Sequence, residues 1–268
     1  MIVEFLGNSG AGKSTLVSAL IRLWRDDGVT VMSVTDAIHH YMRQTVVGRA
    51  VCSLAPDAWQ GPILWRVFAR TVARWHTAAF IAGHRELARY VWASQRRRPI
   101  PRRHRRLILR LFFNMAGQHH FFQAHRRPGE VIVFDEGFVH RAVHLFVSPA
   151  EQPDPGRIVA YLERIPRPDL LVLVQAPPDV CLARISARGL QVRLRGLDAE
   201  ATARFVAHAG QVVDVAARYL VADGVEVVAV ENIGDIETSV ARLRRFLSNY
   251  PLSRNLDPGK FIQDADER

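Results

Sequence analysis

The sequence predicts an α/β protein in which a five-stranded parallel sheet lies between two layers of helices. Short apolar runs that fit buried strands alternate with longer stretches whose apolar residues recur at helical spacing. Strands joined through helices pair in parallel, and the helices then cover both faces of the sheet. With 268 residues, 49% of them hydrophobic, the chain is long enough to form a sizeable core. We predict a single domain over residues 1–247.

The strands are predicted where apolar runs are bounded by polar or turn-forming residues. They cover residues 2–6, 28–34, 130–134, 170–175 and 225–230. Helical periodicity predicts helices over 15–21, 156–165, 178–184, 199–221 and 236–247. From about 38 to 127 the pattern is mainly helical, with breaks near Pro56, Pro62, Gly83 and Pro99, which predicts a long helical insertion. Prolines and a polar end predict that residues 248–268 form a loosely attached tail.

Cysteine content and hydropathy favour a cytoplasmic protein. The two cysteines, Cys52 and Cys181, are far apart and form no C-x-x-C pair, so neither a disulfide framework nor a zinc site is expected. The first strand begins at Ile2, which leaves no room for a signal peptide. The longest apolar stretch, 62–83, is interrupted by three arginines, so we expect no transmembrane segment.

The most informative motif lies between the first strand and the first helix. Residues 7–14 read G-N-S-G-A-G-K-S and match the phosphate-binding pattern G-x-x-x-x-G-K-[ST]. Glycines let successive backbone N–H groups turn inward at the positive end of a helix, where they can hold phosphate oxygens. Lys13 would reach the phosphates, and Ser14 would ligate Mg²⁺. The residues predicted to bind ATP are Gly7, Asn8, Ser9, Gly10, Ala11, Gly12, Lys13, Ser14 and Thr15.

Carboxylates are expected at the same edge of the sheet, because the carboxyl ends of parallel strands meet there. Four apolar residues precede Asp135, which gives the form of a Walker B strand with Asp135 holding Mg²⁺ through water. Glu136 follows as a base, a substrate ligand or a solvated side chain. Asp36 ends the second predicted strand and is a candidate substrate ligand.

A basic segment after the fourth strand predicts a lid over residues 185–198. Arg184 and Arg188 are four apart and share one helical face, and Gly189 can end that helix. Arginines brought in by a closing segment stabilise the charge that develops during phosphoryl transfer. Arg184 and Arg188 are therefore candidate catalytic residues, and Arg193 is a candidate substrate ligand. The alternative is an exposed basic helix end.

Together these features resemble the thymidylate kinase group of P-loop nucleotide kinases. The likeness rests on the phosphate loop, the strand that ends at Asp135, the run 177–219 and the loop 230–235 after the last strand. It implies a P-loop kinase fold and a phosphotransferase that uses MgATP, with Lys13, Ser14, Asp135, Arg184 and Arg188 carried over.

Two departures concern the acceptor end. The family follows the strand-end aspartate with arginine and an aromatic residue, whereas Glu136 and Gly137 follow here and Arg141 comes one helical turn later. The family's second strand leads into Arg-Glu-Pro, whereas this chain has Asp36-Ala37-Ile38. We predict a kinase of a nucleotide or nucleoside. A kinase of a sugar or other alcohol, and a regulatory ATPase or switch that grips an anionic polymer or membrane, are the alternatives.

Basic charge is concentrated in the insertion. Ten arginines lie between Arg96 and Arg127, and no acidic residue occurs between Glu86 and Glu130. This cluster would suit an acidic substrate, an anionic lipid surface or RNA. Five histidines lie nearby, at 119, 120, 125, 140 and 144, but their spacing does not favour a metal site. A homodimer is left open by the sequence.

Overall fold

The sheet of the computed structural model has five strands, all parallel. The structure describes residues 1–249 except 97, 99, 189–193, 195 and 235. The strands are β1 (Ile2–Gly7), β2 (Val31–Ser33), β3 (Val131–Phe134), β4 (Leu170–Gln175) and β5 (Val227–Glu231). Their order across the sheet is β2-β3-β1-β4-β5. This order places the carboxyl end of β1 between those of β3 and β4, so the loop after β1 opens at the centre of the sheet.

Burial explains why three strands are almost entirely apolar. Every residue of β1 and β3 is buried, and so are the first five of β4, because helices cover both faces. Buried and more exposed positions alternate along β5, as expected at the edge of a sheet. Glu4 is the exception in β1, since it is charged in type but only 1% exposed.

Two groups of helices form the outer layers. The first consists of α1 (Lys13–Asp26) and α12 (Ile236–Asn249), and the second of α8 (Phe138–Phe146), α9 (Pro155–Leu162) and α11 (Ala199–Ala222). In the first group, α1 contacts β1 and β2 while α12 contacts β5; in the second, α8 and α11 both contact β1. A further helix, α10 (Pro178–Arg188), packs on α11. The predicted three-layer fold with a five-stranded parallel sheet is confirmed.

The helical insertion is also present, between β2 and β3. It contains α2 (Val34–Gln44), α3 (Val46–Leu54), α4 (Asp57–Val67), α5 (Ala73–Gly83), α6 (Arg85–Arg96) and α7 (Arg102–His125). A π-helical turn, Phe68–Val72, joins α4 to α5. Aromatic rings connect α7 to the rest of the protein, with Phe112 5.8 Å from Phe138 and Phe122 5.8 Å from Phe134. The insertion therefore shares the core of the sheet.

One predicted boundary is wrong. The second strand was expected to run from 28 to 34 and to deliver Asp36 at its end, but β2 is three residues long and α2 begins at Val34. The Ser33 side chain caps α2 by accepting a hydrogen bond from the Asp36 backbone N–H at 3.1 Å. Asp36 thus lies in the first turn of a helix. Most of the predicted tail lies outside the described residues.

No helix in the described part of the chain combines the length and the apolar character that a bilayer crossing requires.

Candidate nucleotide and acceptor site

The loop between β1 and α1 has the backbone geometry that its sequence predicts. Gly10 and Gly12 have φ angles of +81° and +92°, in the left-handed region that side chains disfavour. A Cβ at Gly12 would also lie 2.1 Å from Nδ2 of Asn232, so glycine is required there by space as well. The helix α1 begins at Lys13, and its exposed residues Ser14 and Thr15 face solvent. The first N–H groups of α1 are therefore available to an anion.

Lys13 lies over this loop rather than in solvent. Its side chain is largely buried, and Nζ donates hydrogen bonds to the carbonyl oxygens of Gly7 at 2.9 Å and Asn8 at 3.0 Å. These bonds hold the ammonium group next to the glycine turns. A phosphate in the loop would meet a positive charge already in position.

Ser14 and Asp135 meet at the mouth of the loop. The Ser14 hydroxyl donates to Oδ2 of Asp135 at 2.7 Å, although 121 residues separate them in sequence. β1 pairs with β3 in parallel, with Glu4 opposite Phe134. The chain therefore leaves β3 at Asp135 beside the loop that follows β1. The other carboxylate oxygen, Oδ1, is buried and has no hydrogen-bond partner. A hydroxyl beside a carboxylate with an unused oxygen is a donor set that suits hydrated Mg²⁺.

Hydrogen bonds of three side chains tie the loop to distant segments. Asn8 Nδ2 donates to the carbonyl of Val206 in α11 at 2.8 Å, and Asn232 Nδ2 donates to the carbonyl of Ala11 at 2.7 Å. Arg184 Nη1 donates to the carbonyl of Asn232 at 3.1 Å and to that of Gly10 at 3.5 Å. Arg184 thus lies at the loop. Asn232 belongs to the loop 230–235 named in the resemblance, but no role at the phosphate loop was predicted for it.

The segment predicted to form a lid falls partly outside the described residues. Arg188 is the last residue of α10 and is exposed, one turn beyond Arg184. Arg193 lies outside the described residues. Arg184 and Arg188 share the helical face that the sequence predicts, and the loop lies at the Arg184 end of that face.

Glu136 leads into a cluster of basic side chains on α8. Its carboxylate is 3.2 Å from Nη1 of Arg141, 3.8 Å from Nε2 of His140 and 3.7 Å from Nε2 of His144. The three α8 side chains are almost fully buried, while that of Glu136 is 42% exposed. Arg141 was predicted near an acceptor, but the two histidines were not expected to meet a carboxylate. Their spacing, one and two helical turns after Glu136, was the available signal.

Ligand atoms of Glu136, His140 and His144 lie within 4.8 Å of one another, a grouping that could hold a metal ion. Arg141 argues against that role. Its Nη1 is 2.7 Å from Nδ1 of His144. A guanidinium can only donate, so Nδ1 must accept this hydrogen bond. The proton of the His144 ring therefore lies on Nε2. Nε2 is the atom that a metal in this cluster would need. The geometry instead fits an ionised carboxylate surrounded by cationic and polar groups.

Glu4 lies beneath this cluster and fixes the start of α8. Its carboxylate accepts hydrogen bonds from the backbone N–H groups of Phe138 at 3.0 Å and Val139 at 2.8 Å. Burial raises the pKa of Glu4 to about 7, while those two N–H groups and Arg141 act in the opposite direction. A Cβ at Gly137 would lie 2.1 Å from Cδ of Glu4. The residue after Glu136 is therefore glycine because a buried carboxylate occupies the adjacent space.

Asp36 pairs with a side chain of α1, and its role as a substrate ligand stays a prediction. Its carboxylate is 3.1 Å from Nη2 of Arg25 in α1, and both side chains are half exposed. The two residues line a cleft of about 610 Å³ between α1, β2 and α2, together with His39, His40 and Arg43.

Comparisons with known proteins find similar structures but no similar sequences. No protein-family model matches the chain, and no curated protein matches it. Solved structures of deoxyadenosine kinase from M. mycoides are similar to it. The form with bound dATP is 12% identical, with a TM-score of 0.44, and the match covers 92% of this chain and 100% of that one. The form with the products dCMP and a flexible dCDP has the same identity and TM-score, with 93% and 100% covered.

A third structure of that kinase, with bound dCTP, is 12% identical with a TM-score of 0.43, and the match covers 93% of this chain and 100% of that one. None of the three is a thymidylate kinase, so the resemblance to that group stays a prediction from the motifs. The function proposed below rests on the side chains of the site.

Proposed function

We propose that the protein is a kinase that transfers the γ-phosphoryl group of ATP to a hydroxyl group of a small molecule. The observation that carries the proposal is the 2.7 Å hydrogen bond between Ser14 and Asp135, at the mouth of a loop that already holds Lys13. The unused Oδ1 of Asp135 supports a metal-binding role for this pair. Lys13, Ser14 and Asp135 would hold MgATP with the backbone N–H groups of residues 7–15.

Bound MgATP would supply the phosphoryl group, and its Mg²⁺ would neutralise part of the charge on the phosphate oxygens. The protein's own contribution is positioning and electrostatic stabilisation. Lys13 is fixed beside the phosphates by the Gly7 and Asn8 carbonyls. Arg184 is fixed at the outer side of the loop, and Arg188 lies at the end of the same helix, where a closing segment would bring it to the transferring group.

The acceptor end favours an uncharged hydroxyl over a phosphate. Glu136 takes the place at which the thymidylate kinase group has an arginine, and it would repel an acceptor phosphate. A carboxylate there can accept a hydrogen bond from a hydroxyl and orient it. Arg141 and the two histidines hold Glu136 in place. A nucleoside is the acceptor class that we propose first, followed by a sugar or another alcohol.

The test is a coupled assay of ADP release with MgATP and a panel of acceptors. Nucleosides, nucleoside monophosphates, sugars and simple polyols form the panel, and Asp135→Asn is the matched control because it keeps the shape of the side chain. We expect release that depends on a hydroxyl acceptor, that is strongest with nucleosides and that is lost in the control. Release that is equal with and without any acceptor would instead identify a regulatory ATPase.

The location in the cytoplasm stays a prediction from the sequence, and a homodimer stays open.

A further inference from the structure

Exposed apolar side chains are concentrated in the helical insertion. Among the described residues, ten large hydrophobic side chains are exposed, and eight of them lie between Val46 and Trp92. Four of the chain's five tryptophans are in this group: Trp59, Trp65, Trp75 and Trp92, with Trp75 73% exposed. The fifth, Trp24, is 1% exposed. Exposed apolar side chains mark an interaction surface where they lie together in one patch.

Two of these side chains, Ile81 and Trp92, lie together in a groove of about 630 Å³ formed by α5, α6 and α7. Its apolar walls come from Ile81, Ala88, Trp92 and Phe113, and Arg85 and Arg89 line it as well. Both arginines are exposed. Apolar and cationic groups are thus combined in one depression of the surface.

The charge of the insertion is almost entirely of one sign. Residues 38–127 contain seventeen arginines, no lysine and two acidic residues, Asp57 and Glu86. On α7, the exposed Arg106 and Arg110 lie seven and three positions before Phe113, so they share the helical face that borders the groove. An anionic partner would complement the charge of this surface.

We propose that this face, which we call the Arg–Trp surface (Ile81, Arg85, Arg89, Trp92, Arg106, Arg110 and Phe113), docks on the surface of an anionic lipid bilayer. The arginines bind lipid phosphates, and Trp92, Ile81 and Phe113 enter the boundary between headgroups and acyl chains. Tryptophan is favoured at that boundary because its ring is apolar and its N–H is polar. The protein lies on the bilayer.

RNA is the other anionic partner that these charges would attract, and the groove disfavours it. A binding surface for single-stranded RNA needs hydrogen-bond donors along a polar channel, with aromatic rings on which bases stack. The walls of this groove are mostly aliphatic or aromatic carbon, which suits acyl chains. The proposal is independent of the reaction proposed above.

The experiment is vesicle flotation of the full chain. We expect the protein to float with phosphatidylcholine vesicles that contain phosphatidylglycerol, to bind poorly to phosphatidylcholine alone, and to be released by salt. The double variant Arg85→Gln/Arg89→Gln should partition about 30-fold more weakly, because each arginine near an anionic surface contributes roughly fivefold. Trp92→Ala should also weaken binding, and the dependence on salt should stay as in the wild type.

The matched control is Arg22→Gln/Arg218→Gln, which removes two exposed arginines outside the insertion. Equal losses in the control and in the test variant would overturn the proposal, because binding would then depend only on net charge. Binding to RNA without binding to vesicles would overturn it too.

A second measurement uses fluorescence. Lipids with brominated acyl chains quench tryptophan rings that enter the bilayer, and Trp92 is the one exposed tryptophan that lines the groove. We expect brominated phosphatidylglycerol vesicles to quench the intrinsic fluorescence of the wild type, and to quench that of Trp92→Ala less. Fluorescence that stays constant while the protein floats would show that another face binds, and would overturn the assignment to the Arg–Trp surface.

Discussion

The phosphate loop and the Glu136 cluster lie next to each other at one edge of the sheet, yet they are built in different ways. The loop is a contiguous segment whose groups are backbone atoms and exposed side chains such as Ser14. The cluster brings a strand-end carboxylate together with buried side chains of α8. Chemistry held by a short backbone segment is thus visible as a motif, whereas chemistry held by buried side chains depends on tertiary packing.

The largest effect should follow from Lys13→Ala, which tests the loop. Removal of the ammonium group takes away a charge fixed beside the transferring phosphoryl group, and we expect kcat to fall by about 10³-fold with every acceptor. The measurement is steady-state ADP release, and circular dichroism serves as the control for folding. A wild-type rate in a folded variant would contradict the kinase proposal.

Much of the loop could be predicted from the sequence, because its residues are neighbours and its glycines are required by the local backbone angles. The partner of Ser14 could also be predicted, since an apolar strand that ends in Asp135 fits only one edge of a parallel sheet. The end of the second strand could not be predicted, because its residues have an apolar strand pattern. The Ser33 cap nevertheless starts α2 at Val34 and places Asp36 in a helix. Asn232 and Glu4 could not be assigned, since their partners are backbone groups more than 130 residues away.

The second largest effect concerns Glu4, which links the two regions: it is part of β1, and it holds the start of α8. Its pKa of about 7 in the folded protein lies above the ordinary value of 4.5, so the folded state binds the proton more tightly. The resulting stability is complete below pH 4.5 and is lost as the pH rises through about 7. We expect the loss to be about 3 kcal/mol of the free energy of unfolding.

The measurement is urea denaturation from pH 4 upwards, with the wild type compared with Glu4→Gln. His76 and His119, whose pKa values burial lowers to about 4, titrate in both proteins, so the difference isolates Glu4. Two parallel curves would contradict a raised pKa for Glu4.

Arg188→Ala tests whether the donor end extends beyond the loop. Arg188 is exposed at the end of α10, and if it reaches the transferring phosphoryl group, its removal should lower kcat by about 10²-fold without changing stability.

Arg184→Ala should differ, because Arg184 also supports Gly10 and Asn232, so this variant should lose stability as well. Arg218→Ala, on the exposed face of α11, is the matched control. An unchanged kcat in Arg188→Ala would mean that Arg188 is a solvated residue at a helix end.

The smallest effect, and the one that separates the two regions most clearly, is expected from Glu136→Gln. Glutamine keeps the shape of the side chain and can still accept from Arg141, but it lacks the charge that strengthens a hydrogen bond to an acceptor hydroxyl. Loss of one charged hydrogen bond should lower kcat/KM for the acceptor by about tenfold and leave KM for ATP unchanged. Titrations of ATP and of the acceptor, each at a saturating concentration of the other, measure the two KM values separately.

Slow ADP release without acceptor distinguishes the two roles further. Lys13→Ala should abolish it because the loop serves every reaction of bound ATP, whereas Glu136→Gln should leave it as it is. If both variants abolish it equally, Glu136 acts on the water that attacks ATP, and the acceptor role proposed for the cluster is wrong. The regulatory ATPase would then be the better account of this edge of the sheet, because Asp135 and Glu136 would serve hydrolysis together.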